Sequence, residues 1–148
     1  MINSGVEILI VEDNARDLEL TMRALNKHHL GNRVVAVRDG AEAIDFLFAR
    51  GEYEDRNIAD GPHVIFLDMK LPKIDGIEVL RQIKADPRTH TIPVVMVTSS
   101  AQERDMEESY RLGANSYVVK PIDFDAFVKT IADLGFYWLA VNRPVLRS

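Results

Sequence analysis

Asp68 ends the run Val64-Ile65-Phe66-Leu67, an apolar, β-branched stretch that stops abruptly on a carboxylate. A second such run, Val6-Glu7-Ile8-Leu9-Ile10-Val11, leads straight into Glu12-Asp13. A third ends on Thr98 and a fourth on Lys120, which is followed by Pro121. Short apolar runs of this kind read as buried strands, and the carboxyl ends of strands in open α/β sheets are where chemistry gathers. Three acids brought to one edge repel, each like-charge pair costing about 4 kcal/mol at about 4 Å and an effective dielectric near 20. Such a cluster holds a proton or binds a cation. Carboxylate oxygens suit Mg²⁺, which keeps several waters and pairs with phosphate. A hydroxyl from Thr98 and an ammonium from Lys120 suit phosphoryl oxygens, and Asp68 is then the nucleophile.

The elements that would position these groups follow from periodicity. Strand candidates are Val6–Val11, Arg33–Val37, Val64–Leu67, Val94–Thr98 and Tyr117–Val119. Between them, Ala15, Leu18, Met22 and Leu25 recur at helical spacing, as do Ala41, Ile44 and Phe48, and Ile77, Leu80 and Ile83. Asn14 and Asp123 stand where helix caps belong. Strands alternating with helices predict parallel βαβ units, hence α/β: one doubly wound five-stranded parallel sheet with helices on both faces. The helix over 102–112 has a thin apolar stripe, chiefly Met106 and Tyr110, a pattern suited to movement. The polar stretch 50–62 exceeds the usual connection of about 2–6 residues and is expected to be a surface excursion or a binding loop.

Bulk properties narrow the possibilities. A chain of 148 residues, 47% hydrophobic and 28% charged, predicts one domain over 1–148 with its core at about 6–134. The net charge of −5 argues against non-specific nucleic-acid binding. Without cysteine there are neither disulfides nor thiolate metal sites. The start lacks the pattern of a signal peptide and no apolar run reaches the roughly 20 residues of a membrane span, so a soluble, cytoplasmic protein without membrane contact is expected. His28, His29, His63 and His90 show no ligand spacing and read as loop or surface residues.

Glu12-Asp13, Asp68, Thr98-Ser99 and Lys120-Pro121, in this order at successive strand ends, resemble the signature of receiver domains of two-component response regulators. The turn Leu71-Pro72-Lys73-Ile74-Asp75-Gly76 strengthens the resemblance, which covers roughly residues 6–134. It implies a flavodoxin-like fold of receiver type and a phosphoacceptor role for Asp68. It implies a Mg²⁺ site of Glu12, Asp13, Asp68 and the Lys70 main-chain carbonyl. Thr98 would bind a phosphoryl oxygen, Lys120 would pair with the phosphate, and Tyr117 would act with Thr98 as the switch. A cis Lys120–Pro121 bond is also implied. Lys70 and Ser100, each two residues past a site residue, occupy positions that tune the phosphate's lifetime. The partner would be a sensor histidine kinase or a phosphotransfer protein, and the chain would catalyse only its own phosphorylation and dephosphorylation. After Val119 only about one helix and a tail remain, so output is expected through protein contacts.

The end segment, 135–148, carries Phe136-Tyr137-Trp138-Leu139. At about 100° per residue four consecutive bulky side chains point in every direction, more than one docked helix face can hide. This ending resembles that of the response regulators of bacterial phytochrome kinases, in which the segment forms a homodimer. The alternative is that these rings complete the monomer core against 50–62. Three other functions are weaker. A haloacid dehalogenase-like phosphohydrolase needs a second Asp where Lys70 stands. A flavodoxin-like cofactor binder needs a phosphate loop after the first strand. A phosphorylation-independent binding module has no need of the acidic site.

Overall fold

The computed structural model describes residues 6–30 and 33–145. Five strands, β1 (Ile8–Val11), β2 (Val34–Val37), β3 (Val64–Leu67), β4 (Val94–Thr98) and β5 (Ser116–Val119), form one parallel sheet. Five helices alternate with them: α1 (Ala15–Lys27), α2 (Gly40–Leu47), α3 (Gly76–Ala85), α4 (Glu103–Arg111) and α5 (Phe124–Phe136). The strand order β2-β1-β3-β4-β5 is that of flavodoxin-like sheets, with the switch point between β1 and β3.

Strand alternation divides the core in two. Leu9, Val11, Ile65, Leu67, Val94 and Met96 face one layer, filled by Ala43, Ile44 and Leu47 of α2 and Val79, Leu80 and Ile83 of α3. Their neighbours in sequence, Ile8, Ile10, Val64, Phe66, Val95 and Val97, face the other, filled by Leu20, Ala24 and Leu25 of α1 and Phe127 and Ile131 of α5. The period of two along β1, β3 and β4 is thus apolar on both faces, as a sheet covered by helices requires.

Helix starts are fixed by side chains. Asn14, Asp39 and Asp123 each accept the backbone N–H of the residue three places on, at 2.7–2.9 Å. Such a cap contributes about 1 kcal/mol. Helix α4 is the weak member, with only Ser109 buried. Tyr110 is exposed and Met106 half-buried, so its apolar stripe anchors little.

The stretch 50–62 is folded onto α2 in two short 3₁₀ turns, Gly51–Tyr53 and Ile58–Asp60. Tyr53 meets Phe46 edge-on at 5.1 Å and donates its hydroxyl to Glu42 Oε2 at 2.7 Å. The Arg56 guanidinium lies 3.7 Å above the Phe46 ring. These contacts explain why a polar segment of this length stays ordered.

The end segment departs from the alternative in which its rings pack on 50–62. Trp138 and Leu139 pack against the α1 and α5 layer, across the sheet from that loop. Helix α5 runs into a wide π-type turn, Tyr137–Val141, leaving Phe136 58% and Tyr137 47% exposed. Residues 146–148 of the expected segment, like 1–5 of the expected domain, lie outside the described residues.

Gly76 lets α3 start directly against the end of β3. Its N–H donates to Met69 O at 2.8 Å, and a Cβ at this position would stand 2.1 Å from the carbonyl oxygen of Asp68. Gly76→Ala is therefore predicted to lower the unfolding free energy by about 1–3 kcal/mol, the usual range for overpacking. Urea denaturation measures it; an unchanged midpoint would show that α3 does not need this close approach.

Candidate phosphoryl and cation site

Ladder hydrogen bonds continue one residue past three strands and deliver the site to one edge. Glu12 N donates to Val37 O at 3.1 Å, Asp68 N to Val11 O at 3.0 Å, and Lys120 N to Thr98 O at 2.8 Å. The sheet itself therefore sets the relative height of Glu12, Asp68 and Lys120. One carboxylate oxygen from each of Glu12, Asp13 and Asp68 lies within 4.8 Å of the others. The sequence-predicted acids thus meet.

Lys120 is the centre of the arrangement. Its Nζ donates to Glu12 Oε1 at 2.6 Å, Asp68 Oδ2 at 2.9 Å and Asp17 Oδ2 at 3.0 Å. Only 7% of the lysine side chain is exposed. An ammonium has three donors, and here each meets a different carboxylate. The second oxygens of two acids are held by backbone: Glu12 Oε2 accepts from Asn14 N at 3.0 Å and Asp68 Oδ1 from Met69 N at 2.7 Å.

Charge is nonetheless out of balance. Burial pushes the Glu12 carboxyl from an ordinary 4.5 up to about 7, despite the hydrogen bond from Lys120. For Lys120, burial works against the charge, yet the hydrogen bonds to Glu12 and Asp68 outweigh it and hold the ammonium above its ordinary range. The sign for stability follows from proton linkage. Between pH 4.5 and about 7 the folded chain keeps a proton that the unfolded chain releases, so Glu12 favours the fold below 4.5. That contribution is lost as pH rises through about 7. Four carboxyl groups, Glu12, Asp13, Asp17 and Asp68, thus share the pocket with one ammonium, an imbalance that a cation would relieve.

Lys70, Thr98 and Ser100 border one cleft of about 700 Å³ with Asp13, Asp68 and Lys120. Thr98 is buried and its Oγ1 accepts from Ser100 N at 3.3 Å. Lys70 is exposed on the rim. Tyr117 is half-buried against the α2 and α3 layer, and its hydroxyl donates to Ser100 O at 2.9 Å. Ser100 in turn donates to Asp105 Oδ2 of α4 at 2.5 Å. Thr98, Ser100, Tyr117 and α4 are thus one hydrogen-bonded unit. The implied cis Lys120–Pro121 bond is a correction: no peptide bond among the described residues is cis, and trans is favoured by about 0.5–1 kcal/mol before proline.

Two residues of the site escaped the sequence reading. Asp17 reaches Lys120 from the first turn of α1, where an acid is ordinarily explained by the helix dipole. Its position one turn past the acidic pair was the available signal. Arg38, just after β2, donates to Asp13 O at 3.1 Å, and no local pattern marks it.

Comparisons with known proteins agree with this geometry. The model of the response regulator receiver domain matches residues 8–132. Among curated relatives, the probable methanogenesis regulatory protein FilR2 of Methanothrix harundinacea is 40% identical over 136 residues, covering 92% of this chain and 85% of that one. Response regulator Rcp1 of Synechocystis is 38% identical over 132 residues, 89% and 88% of the two chains. Its Mn²⁺-bound structure superposes with a TM-score of 0.87 at 36% identity, covering 95% and 99%. The phosphorylated cyanobacterial phytochrome response regulator RcpA gives 0.88 at 37% identity, covering 95% and 99%. Similarity of this extent, carried on the same topology, means that the chain belongs to the response regulator receiver domain family and is related to its phytochrome response regulators.

Proposed function

We propose that this chain accepts a phosphoryl group on Asp68 from the phosphohistidine of a partner kinase, in a Mg²⁺-dependent reaction. The observation that carries the reading is Lys120 bridging Asp68 and Glu12 inside a cluster whose oxygens lie within 4.8 Å of one another. Glu12, Asp13 and Asp68 offer the hard oxygen ligands Mg²⁺ prefers, with the Lys70 main-chain carbonyl as a further ligand. When bound, the ion neutralises charge on the phosphoryl oxygens.

The chain's own groups do the rest. A carboxylate oxygen of Asp68 attacks phosphorus while the P–N bond of the donor breaks, and the imidazole leaves with that electron pair. Lys120 moves to a phosphoryl oxygen, and the Thr98 hydroxyl donates to another. Drawing Thr98 inward reorders Ser100, and with it Tyr117 and α4. Water attack on the acyl phosphate reverses the state, with Lys70 at the rim controlling approach. The chain would thus catalyse only its own phosphorylation and dephosphorylation. A cytoplasmic setting fits such a partner; among the described residues no helix is long and apolar enough to cross a membrane. The relation to phytochrome response regulators makes a phytochrome kinase the favoured donor.

The exposed Phe136 and Tyr137, continued by Val141, support a second proposal, that two copies pair through the end segment. Trp138 and Leu139, half-buried against the chain's own core, would support this surface from below.

Incubation with acetyl phosphate and Mg²⁺ is expected to add the mass of one phosphoryl group to the parent and none to Asp68→Asn, with chelation blocking the gain. A variant labelled as fully as the parent would refute the assignment. Sedimentation at micromolar concentration tests pairing: the parent is expected to be dimeric and the Phe136→Glu, Tyr137→Glu variant monomeric. Equal masses for the two would contradict the surface.

A further inference from the structure

Lys120 holds three carboxylates, yet only two of them belong to the cation cluster. Asp17 is the third. Its Oδ2 lies 3.0 Å from Lys120 Nζ, its side chain is 18% exposed, and it borders the same cleft as Asp68 and Thr98. The cluster of acids that can share one ion comprises Glu12, Asp13 and Asp68 and leaves Asp17 out.

This division has a consequence for the lysine. Glu12 Oε1 and Asp68 Oδ2 are both occupied by its ammonium. When those oxygens turn to a divalent cation, Lys120 gives up two of its three partners and is repelled from the position it held. A buried ammonium without a counter-charge is costly, and a lysine stem has enough freedom to leave the pocket. Asp17 is the partner that remains.

The scaffold under Asp17 is stiff. Its backbone N–H donates to Asn14 Oδ1 at 2.9 Å, and its carbonyl accepts from Thr21 Oγ1 at 2.8 Å. Both partners lie on α1 or its cap, and Thr21 is itself buried. The carboxylate sits in the first turn of a helix of 13 residues. It is therefore held on a fixed scaffold beside Lys120, at the cleft that Asp68 and Thr98 also line.

We propose that Asp17 is a positioning residue for Lys120. It retains the ammonium at the edge of the pocket while Glu12 and Asp68 turn to the cation, and presents it to the incoming phosphoryl oxygen. The inference rests on the cation site proposed above. It differs from the ordinary role of a first-turn acid, which would stabilise α1 without reference to Lys120.

A double-mutant cycle on Mg²⁺ affinity, read by calorimetry of the full chain, separates the two. Asp17→Asn is expected to weaken Mg²⁺ binding roughly tenfold, the size of one charge-assisted contact, and Asp17→Glu to restore most of it. In a Lys120→Gln background the same Asp17→Asn change is expected to cost several-fold less, since only the direct field of the carboxylate on the ion remains. An equal loss in both backgrounds would mean that Asp17 acts as a remote charge or through α1 stability, and would overturn the proposal. Should the Lys120 variant fail to fold, the ammonium signal of Lys120 in nitrogen-edited NMR decides. With beryllofluoride and Mg²⁺ it is expected to stay protected from solvent exchange in the parent and to be lost in Asp17→Asn; protection in both refutes the role. If the parent binds no Mg²⁺ at all, the cation site fails with it, whereas normal binding with an additive cycle removes the Asp17 role alone.

Discussion

One ammonium facing more negative charge than it can neutralise is the constraint on which this structure turns. Glu12, Asp17 and Asp68 converge on Lys120, and Asp13 stands beside them. The fold supplies the convergence: β1 and β3 lie side by side in register, Val11 opposite Leu67, so their next residues, Glu12 and Asp68, share one level. The lysine comes from β5, at the far side of the central strands, and its backbone is pinned to Thr98. No single βαβ unit contains this constellation. The apolar sheet must form before the charges meet, and its packing energy is what holds mutually repelling acids together.

A site built this way is poised. Burial raises Glu12 to about 7, so at neutral pH the pocket gains from any added positive charge. The same excess keeps Lys120 protonated. On the other side of the cleft the structure is loosely held. Helix α4 buries little beyond Ser109, and its tie to the site runs through Ser100, which contacts Asp105 by its side chain and Tyr117 by its carbonyl. A strong electrostatic centre next to a weakly packed helix is the arrangement in which a local change of charge becomes a change of surface.

Much of this was legible in the residues. β3 and β4 have the boundaries expected from their apolar runs, because both lie between two helical layers and must be apolar throughout. β1 begins at Ile8 instead of Val6, and β5 at Ser116 instead of Tyr117, where pairing with neighbouring strands and not hydrophobicity sets the end. Glu12, Asp13, Asp68, Thr98 and Lys120 gather as their strand ends predict. What stayed hidden depends on partners distant in sequence. Asp17 reads as a dipole-favoured acid until Lys120, 103 residues away, is placed beside it. The ordering of 50–62 comes from Arg56 and Tyr53 meeting Phe46, contacts that composition does not encode. The aromatic run is resolved only by the π-type turn, which directs Trp138 and Leu139 inward and Phe136 and Tyr137 outward.

The central claim is that Lys120 offsets only part of the charge of the acidic pocket and that the proposed divalent cation would offset more of it. Thermal unfolding of Lys120→Met, with and without Mg²⁺, tests it most directly. Without the ion the variant is expected to melt well below the parent, since removing one partner of a buried charge cluster costs about 3–5 kcal/mol. Mg²⁺ is expected to raise its melting temperature more than the parent's. A variant that melts with the parent in metal-free buffer, and gains no more from Mg²⁺, would contradict this account.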